Sequence, residues 1–243
     1  MACKPILFNT EMVKAILDGR KTTTRRIIRV GDGWEITGIP PWYGGHPMIS
    51  EPVNGYPFTI SRETISYDDQ EYTHKLEVTS MCIVPPYKAG DVLYVRETWC
   101  KLPVSPGGHV RIGGVYYYKA DGDIRPESWR GNWRPSIHMP REAARIYLKV
   151  KRVYPAPLND MTEEDAMSEG FPDTPAGEPS PLESFIDLWA KTLKHEELNV
   201  FGWDENPWVW VIEFERIRGN PAGLFADRDT ARYADADVIN PAT

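Results

Sequence analysis

Short apolar segments with clear periodicity alternate along the chain with longer stretches rich in glycine and proline. In residues 10–18 the apolar side chains recur at helical spacing, with Thr10 as the predicted N-cap and Gly19 as the stop. From Lys21 to Val30 the content of β-branched residues rises sharply, which predicts a strand. A helix that runs directly into a strand is therefore expected near the N-terminus.

Further strands and two later helices are predicted by the same kinds of pattern. Strand-forming segments occur at 76–84, 92–95, 115–119, 146–154 and 208–217. Acidic residues in the first turn favour a helix from Thr162 to Gly170, and a second helix is expected over 182–198. Five or six strands with helices at the edges predict an α+β fold, specifically a small closed or nearly closed β-barrel.

Long loops rich in glycine, proline and tryptophan separate these elements. They cover residues 31–75, 101–114, 121–140 and 171–182, and the first of them has room for a hairpin. Loops of this length inside a compact domain are usually functional or mobile. Residues 218–243 lack helical or strand periodicity and are expected to form a flexible C-terminal tail.

Composition narrows the class of protein. The 243 residues, 41% hydrophobic and 26% charged, are typical of a globular chain with one elaborated domain, or with one domain and a small appendage. No apolar run approaches the roughly 20 residues that span a bilayer, and no signal run opens the chain, so a cytoplasmic protein is expected. The three cysteines, Cys3, Cys82 and Cys100, lack metal-ligand spacing, which favours reduced thiols over disulfides or a zinc site.

The charge of the chain is acidic overall but basic at one end. The formal net charge is −7, whereas residues 1–30 hold seven basic side chains against two acidic ones. A protein that grips a long nucleic acid usually presents an extended basic face. A short positive patch on an acidic body suits a small anionic or nucleotide-like ligand better.

The basic segment 19–26 (GRKTTTRR) combines a turn, a lysine, three hydroxyl groups and three guanidinium groups. A hydroxyl becomes a nucleophile beside a base, and a lysine becomes a base when burial or nearby cations lower its pKa. An exposed basic strand would explain the same residues. On an ideal strand Lys21 and Thr24 point to opposite faces, so they can meet only if the chain bends near Arg20 and Lys21, as Gly19 permits.

Four segments, in this order, carry a resemblance to a known family: residues 19–26, 90–95, 161–169 and 208–214. They resemble the ASCH domain family, whose members adopt a PUA-like β-barrel and have been linked to RNA binding. The resemblance implies a PUA-like barrel with flanking helices for residues 1–217. Glu169 ends the third segment, at a predicted helix C-terminus where an acid is disfavoured, which itself indicates a local reason for it.

Within that family the chain is similar to the bacterial N4-acetylcytidine amidohydrolases, which remove acetyl from the exocyclic nitrogen of cytidine. The similarity implies that Thr24 attacks the acyl carbonyl, Lys21 serves as base and then acid, and Glu169 orients Lys21 or the substrate. Stabilisation of the oxyanion would fall to Arg20, Arg25 or Arg26. It implies no metal and no organic cofactor.

The chain is more than twice as long as those enzymes, with insertions at about 31–75, 101–140 and 171–206. In this respect it resembles a phage and prophage branch, recognisable by residues 96–99 and 133–140, so the cytoplasm would be that of a bacterial or phage-infected cell. The candidates for substrate binding there are Arg96, Trp99, Trp133 and His138. Tryptophans at 99, 129 and 133 are expected either to stack on a base or to fill the core, and His138 is expected to be structural or catalytic.

Several functions remain open at this point. The partner is expected to be a modified nucleoside or nucleotide, and RNA or single-stranded nucleic acid is an alternative; no membrane partner is expected. The chain is predicted to be an amidohydrolase, with a non-catalytic RNA-binding module and an ASCH-type ribonuclease as the alternatives. An accessory phage protein with structural duties has no support from the residues.

Overall fold

A computed structural model describes residues 3–29, 59–67, 74–82, 85–101, 116–124, 131–175 and 177–218, with the backbone alone for 59–67 and 74–82. The predicted tail from residue 219 onwards lies outside these residues, as do Trp129 and large parts of the first two predicted insertions. Among the described helices none has both the length and the apolar character that crossing a membrane requires.

Four α-helices and nine strands make up the described regular structure. The helices are α1 (Thr10–Leu17), α2 (Glu163–Ser168), α3 (Pro181–Thr192) and α4 (Leu198–Phe201). The strands are β1 (Cys3–Leu7), β2 (Thr23–Ile27), β3 (Thr59–Tyr67), β4 (His74–Cys82), β5 (Val92–Arg96), β6 (Trp99–Lys101), β7 (Tyr116–Tyr118), β8 (Tyr147–Pro157) and β9 (Trp208–Arg216). Single 3₁₀ turns lie at Lys119–Asp121, Ser136–His138, Arg141–Ala143, Leu158–Asp160 and His195–Glu197.

The strands form one mixed sheet and two small ribbons. The five-stranded sheet has the order β1-β5-β8-β9-β2, while β3 pairs with β4 and β6 with β7. Strand β1 runs parallel to β5, and the pairs β5 with β8 and β2 with β9 are antiparallel. The chain is therefore a mixed α+β protein, which confirms the predicted class at this level.

The chain divides into two compact units. The first comprises residues 1–19, 90–149 and 215–243, and the second comprises 20–89 and 150–214. In the first unit Trp99, Met139 and Ala143 form a buried cluster covered by Tyr116 and Tyr118. Beside that cluster Arg145 holds the buried Glu97 with two hydrogen bonds of 2.9 and 3.0 Å.

The core of the second unit lies between helices α2 and α3 and one face of β9. Phe185 and Trp189 of α3 pack in the same buried cluster as Val209 and Val211 of β9. The aromatic rings of Phe185 and Trp189 are stacked with centroids 5.8 Å apart. Since Val211 pairs with Arg25 of β2, the register also directs that arginine toward the helices.

The structure differs from the sequence predictions at four points. The N-cap of α1 is Asn9, whose side-chain oxygen accepts the Met12 N–H at 2.8 Å, so Thr10 is already helical. Asparagine ranks above threonine at this position, which explains the one-residue shift. The strand predicted over 21–30 occupies only Thr23–Ile27, because the residues before it cap a helix instead.

The other two differences concern α3 and β1. The helix predicted over 182–198 begins earlier, at Pro181 behind a Ser180 capping box, and ends at Thr192. There the Thr192 hydroxyl donates to the Trp189 carbonyl at 2.7 Å, a local bond that competes with helix continuation. Strand β1 was not predicted, because its parallel pairing with β5 is a long-range contact.

The aromatic rings in the core of the second unit predict how truncating one of them changes the stability of the protein. Phe185→Ala removes a ring that contacts Trp189, Phe171 and Trp203, and should lower the free energy of unfolding by about 3–5 kcal/mol. Val200→Ala, at a position that is 58% exposed in the same unit, should change it by at most about 0.5 kcal/mol. Urea denaturation measures both, and equal losses would contradict this description of the core.

Candidate functional site

The basic segment 20–22 caps the C-terminal end of α2. Its residues donate one hydrogen bond each to three successive carbonyl oxygens, those of Ser168, Glu169 and Gly170. The donors, in the same order, are the Thr22 N–H, the Lys21 ammonium and the Arg20 guanidinium. A helix end leaves these carbonyls without intrahelical partners, and its dipole favours cations there. The capping therefore fixes α2 against the start of β2.

Lys21 and Glu169 form a buried ion pair at this junction. The Nζ to Oε2 distance is 2.5 Å, and the two side chains are 0% and 2% exposed. Lys21 Nζ also donates to the backbone oxygens of Thr23 and Glu169, each at 2.8 Å. An ammonium has three N–H donors, and each of these three acceptors can take one of them. The acid at the helix end, unfavourable by itself, is therefore explained by the lysine that it binds.

Arg25 supplies a second cation to the same carboxylate. Its Nη1 lies 3.3 Å from Glu169 Oε1 and its Nη2 lies 3.1 Å from Asp165 Oδ2. Asp165 is also the N3 residue of the α2 capping box, where its carboxylate accepts the Thr162 N–H at 3.2 Å. One buried guanidinium thus contacts both ends of the short helix.

Burial dominates the electrostatics of Lys21. Loss of solvent lowers the pKa of this ammonium, while the Glu169 carboxylate opposes the shift and the charges of Arg26 and Arg25 add to it. Burial likewise lowers the pKa of the half-buried Arg26, against the opposing influence of Glu169 and Tyr87. Two arginines and the protein interior therefore favour a neutral Lys21, and one carboxylate favours the charged form.

Thr24 is buried on the opposite face of β2 from Arg25. It is 1% exposed and pairs with Ile212, whereas Arg25 pairs with Val211, so strand alternation separates their side chains. Gly19 has a left-handed φ of 81°, the conformation expected of a residue that ends a helix, whereas the bend near Arg20 and Lys21 stays a prediction. Lys21 lies outside the strand and reaches the carbonyl directly before Thr24. The alternation of an ideal strand therefore does not apply to the lysine.

Arg20 and Arg26 differ in their surroundings. Arg20 is exposed and lines a surface depression of about 460 Å³ together with Phe171, Pro172 and residues of α2. Arg26 follows Thr24 by two residues on β2, so both lie on the same face of the strand. Of the three candidate arginines, Arg26 is therefore the one that shares a strand face with the hydroxyl.

Four further candidates lie in the first unit. Arg96 donates to the carbonyl oxygens of Met139, at 2.9 Å, and Ile137. Trp99 is 3% exposed in the aromatic cluster, and its indole N–H has no hydrogen-bond partner within the described part of the chain. Trp133 is half-buried and His138 is exposed. Arg96 is thus bonded to backbone oxygens and Trp99 is packed in a buried cluster. A stacking role for Trp133 stays a prediction.

Asp165 was not predicted to belong to the site. The sequence pattern explained it only as one of the acidic residues in the first turn of α2. The spacing of four residues between Asp165 and Glu169 places both carboxylates on one helix face. That spacing, opposite a basic strand, is the signal that could have identified the pair.

No group of three His, Cys, Asp or Glu side chains suited to a metal ion occurs among the residues with described side chains. Comparisons of the chain with protein-family models, with curated proteins and with solved structures find no match. The properties of this site are therefore argued from its own geometry.

Removing the charge of Glu169 tests the buried pair. Glu169→Gln leaves the Lys21 ammonium without its counter-ion and should lower the free energy of unfolding by about 3–5 kcal/mol. Glu164→Gln is the matched control, because it makes the same change at an exposed position of α2. Chemical denaturation at neutral pH compares the two, and similar small losses would show that Lys21 and Glu169 are not coupled in the folded protein.

Proposed function

We propose that the chain is an amidohydrolase that removes an acyl group from the exocyclic amine of a modified cytidine-type nucleoside or base. The proposal includes membership of the ASCH family and a PUA-like barrel. The observation that carries it is the burial of a lysine, 2.5 Å from a carboxylate, at the start of the strand that carries a buried threonine. A basic strand with all its side chains in solvent would not require a buried lysine paired with a carboxylate.

In the proposed reaction the Thr24 oxygen bonds to the acyl carbon and its proton passes to neutral Lys21. The tetrahedral intermediate then collapses, the C–N bond breaks, and Lys21 returns the proton to the leaving exocyclic amine. Water hydrolyses the threonyl ester through the same proton route, which releases the carboxylic acid and restores the hydroxyl. Each step balances without an oxidant, a reductant or a metal ion.

The surroundings of Lys21 support its role as a base. An amine accepts a proton only in its neutral form, and burial together with Arg25 and Arg26 lowers the pKa of Lys21 toward that form. Glu169 Oε2 is 2.5 Å away and holds the ammonium once the proton has been taken up. The same carboxylate that opposes deprotonation therefore stabilises the cation formed during the reaction.

Arg26 is the preferred group for stabilising the oxyanion. It lies on the strand face of Thr24, whereas Arg25 is bound to Asp165 and Glu169 on the other face. Preorganised positive charge near a developing oxyanion typically contributes a factor of roughly 100–1,000 in rate. Arg20 is directed to the Gly170 carbonyl at the end of α2.

Binding of a long polyanion is less well supported. Lys21 and Arg25 are buried and already paired with carboxylates, so they could contact phosphates only if those pairs were broken. Binding through solvent-exposed lysines and arginines depends steeply on salt, because counterions are released. The nucleic-acid-binding and ribonuclease alternatives are therefore outcomes of the test below.

Hydrolysis of N4-acetylcytidine and related acylated nucleosides tests the proposal. The wild type should release the carboxylic acid, Thr24→Val should show no turnover, and Lys21→Met should be slower by roughly 10²–10⁴-fold. Thr22→Val, at an exposed position of the same segment, should keep its activity. Failure of the wild type on every acylated nucleoside, with RNA retention that weakens as salt rises, would favour the binding module, and RNA cleavage would favour the ribonuclease.

The pH dependence of kcat/KM gives an independent check. Neutral Lys21 is the active form, so the rate should rise with pH through a limb set by its pKa and level off above it. That limb should lie below the ordinary lysine value of 10.5, because burial lowers the pKa. A rate that falls with rising pH over this limb would exclude Lys21 as the base.

A further inference from the structure

We infer that Arg25 is a positioning residue of this site: it clamps Asp165 and Glu169 together and divides the Glu169 carboxylate between itself and Lys21. The predicted kinetic effects rest on the proposed function, whereas the contacts of Arg25 with the two acids do not depend on it. It assigns to Arg25 a role that differs from substrate binding. It also gives Asp165, which lies outside the proposed catalytic trio, a place in the site.

The clamp is built from two carboxylates one helical turn apart. Arg25 is 5% exposed at its side chain and reaches Asp165 Oδ2 at 3.1 Å and Glu169 Oε1 at 3.3 Å with different nitrogens. A planar guanidinium presents its donors in a fixed fork, which a lysine cannot reproduce. Both acids must therefore keep their side-chain conformations for the two contacts to coexist.

Each oxygen of Glu169 has its own cation. Oε2 accepts from Lys21 at 2.5 Å, and Oε1 accepts from Arg25 at 3.3 Å. The outer arm of the clamp is anchored in turn, because Asp165 Oδ2 also accepts the Thr162 N–H at the helix N-cap. A continuous series of hydrogen bonds and ion pairs thus runs from the start of α2 to the lysine.

Within the described part of the chain, the charged groups that face the clamp come from α2, β2, β8 and the segment before β2. Glu169 is faced by Lys21 and by Arg25 and Arg26 of β2. Arg25 is faced by the two acids of α2 and, from β8, by Tyr154, whose pKa burial raises and whose other charged neighbours are Glu213 and Arg152. Arg25 lies on the face of β2 opposite to Thr24, so it acts on the reaction through Glu169.

Removing Arg25 should shift Lys21 toward its charged form for two reasons of the same sign. A nearby positive charge is lost, and the whole Glu169 carboxylate becomes available to the ammonium. Arg25→Gln should therefore raise the pKa of Lys21. The rate at neutral pH should fall about tenfold for each pH unit by which the limb moves upward, and should recover at alkaline pH.

The experiment compares Arg25→Gln with Arg25→Lys and with Arg29→Gln. Arg29→Gln makes the same charge change in a partly exposed ion pair with Glu197 and should leave the pH profile unchanged. Arg25→Lys restores the charge without the fork and should give an intermediate limb. A loss that is equal at all pH values, or a raised KM with an unmoved limb, would overturn the positioning role.

Titration of ¹³Cε-labelled lysine by NMR, with the Lys21 signal assigned through Lys21→Met, separates this inference from the proposed function. If the wild type hydrolyses no acylated nucleoside, the function fails, yet an upward shift of the Lys21 titration in Arg25→Gln still supports the clamp. An unmoved titration overturns it. Should Arg25→Gln not fold, Asp165→Asn provides the test: it frees Arg25 for Glu169 and should shift the Lys21 titration downward, and an upward shift would contradict the clamp.

Discussion

A buried ion pair between Lys21 and Glu169 is the interaction on which the rest of the second unit depends. Removing two such ions from water costs several kcal/mol each, and the cost is offset only when geometry and hydrogen bonding are good. Here the ammonium has three acceptors and the carboxylate has two cations. The same contacts cap α2, so satisfying the charges and placing the helix are one physical requirement.

Strand β2, which follows the ion pair along the chain, has two chemically different faces. One face carries Arg25 and Ile27, which meet the acids of α2 and the apolar cluster around α3. The other carries Thr24 and Arg26, an alcohol with a cation two residues away. Such a division allows one short strand to hold a charged support on one side and the proposed reactive groups on the other, with Lys21 at the strand entrance.

Sequence patterns predicted the elements that local forces determine. The helix at 10–17, the strands β5 and β9 and the start of α2 all follow from periodicity and capping residues. The approach of Lys21 to Glu169 does not, because 148 positions separate them and no local signal encodes a long-range ion pair. The family resemblance named both residues, whereas the clamp of Arg25 on Asp165 came only from side-chain geometry. Strand β1 was missed for a related reason, since its order depends on pairing with β5.

A double-mutant cycle on Lys21→Met and Glu169→Gln measures the central interaction most directly. If the two side chains form a buried pair, the combined variant should be less destabilised than the sum of the single variants, with a coupling energy of about 0.5–3 kcal/mol. Losses in unfolding free energy that add to within about 0.5 kcal/mol would mean that the two side chains act independently, and would contradict the account.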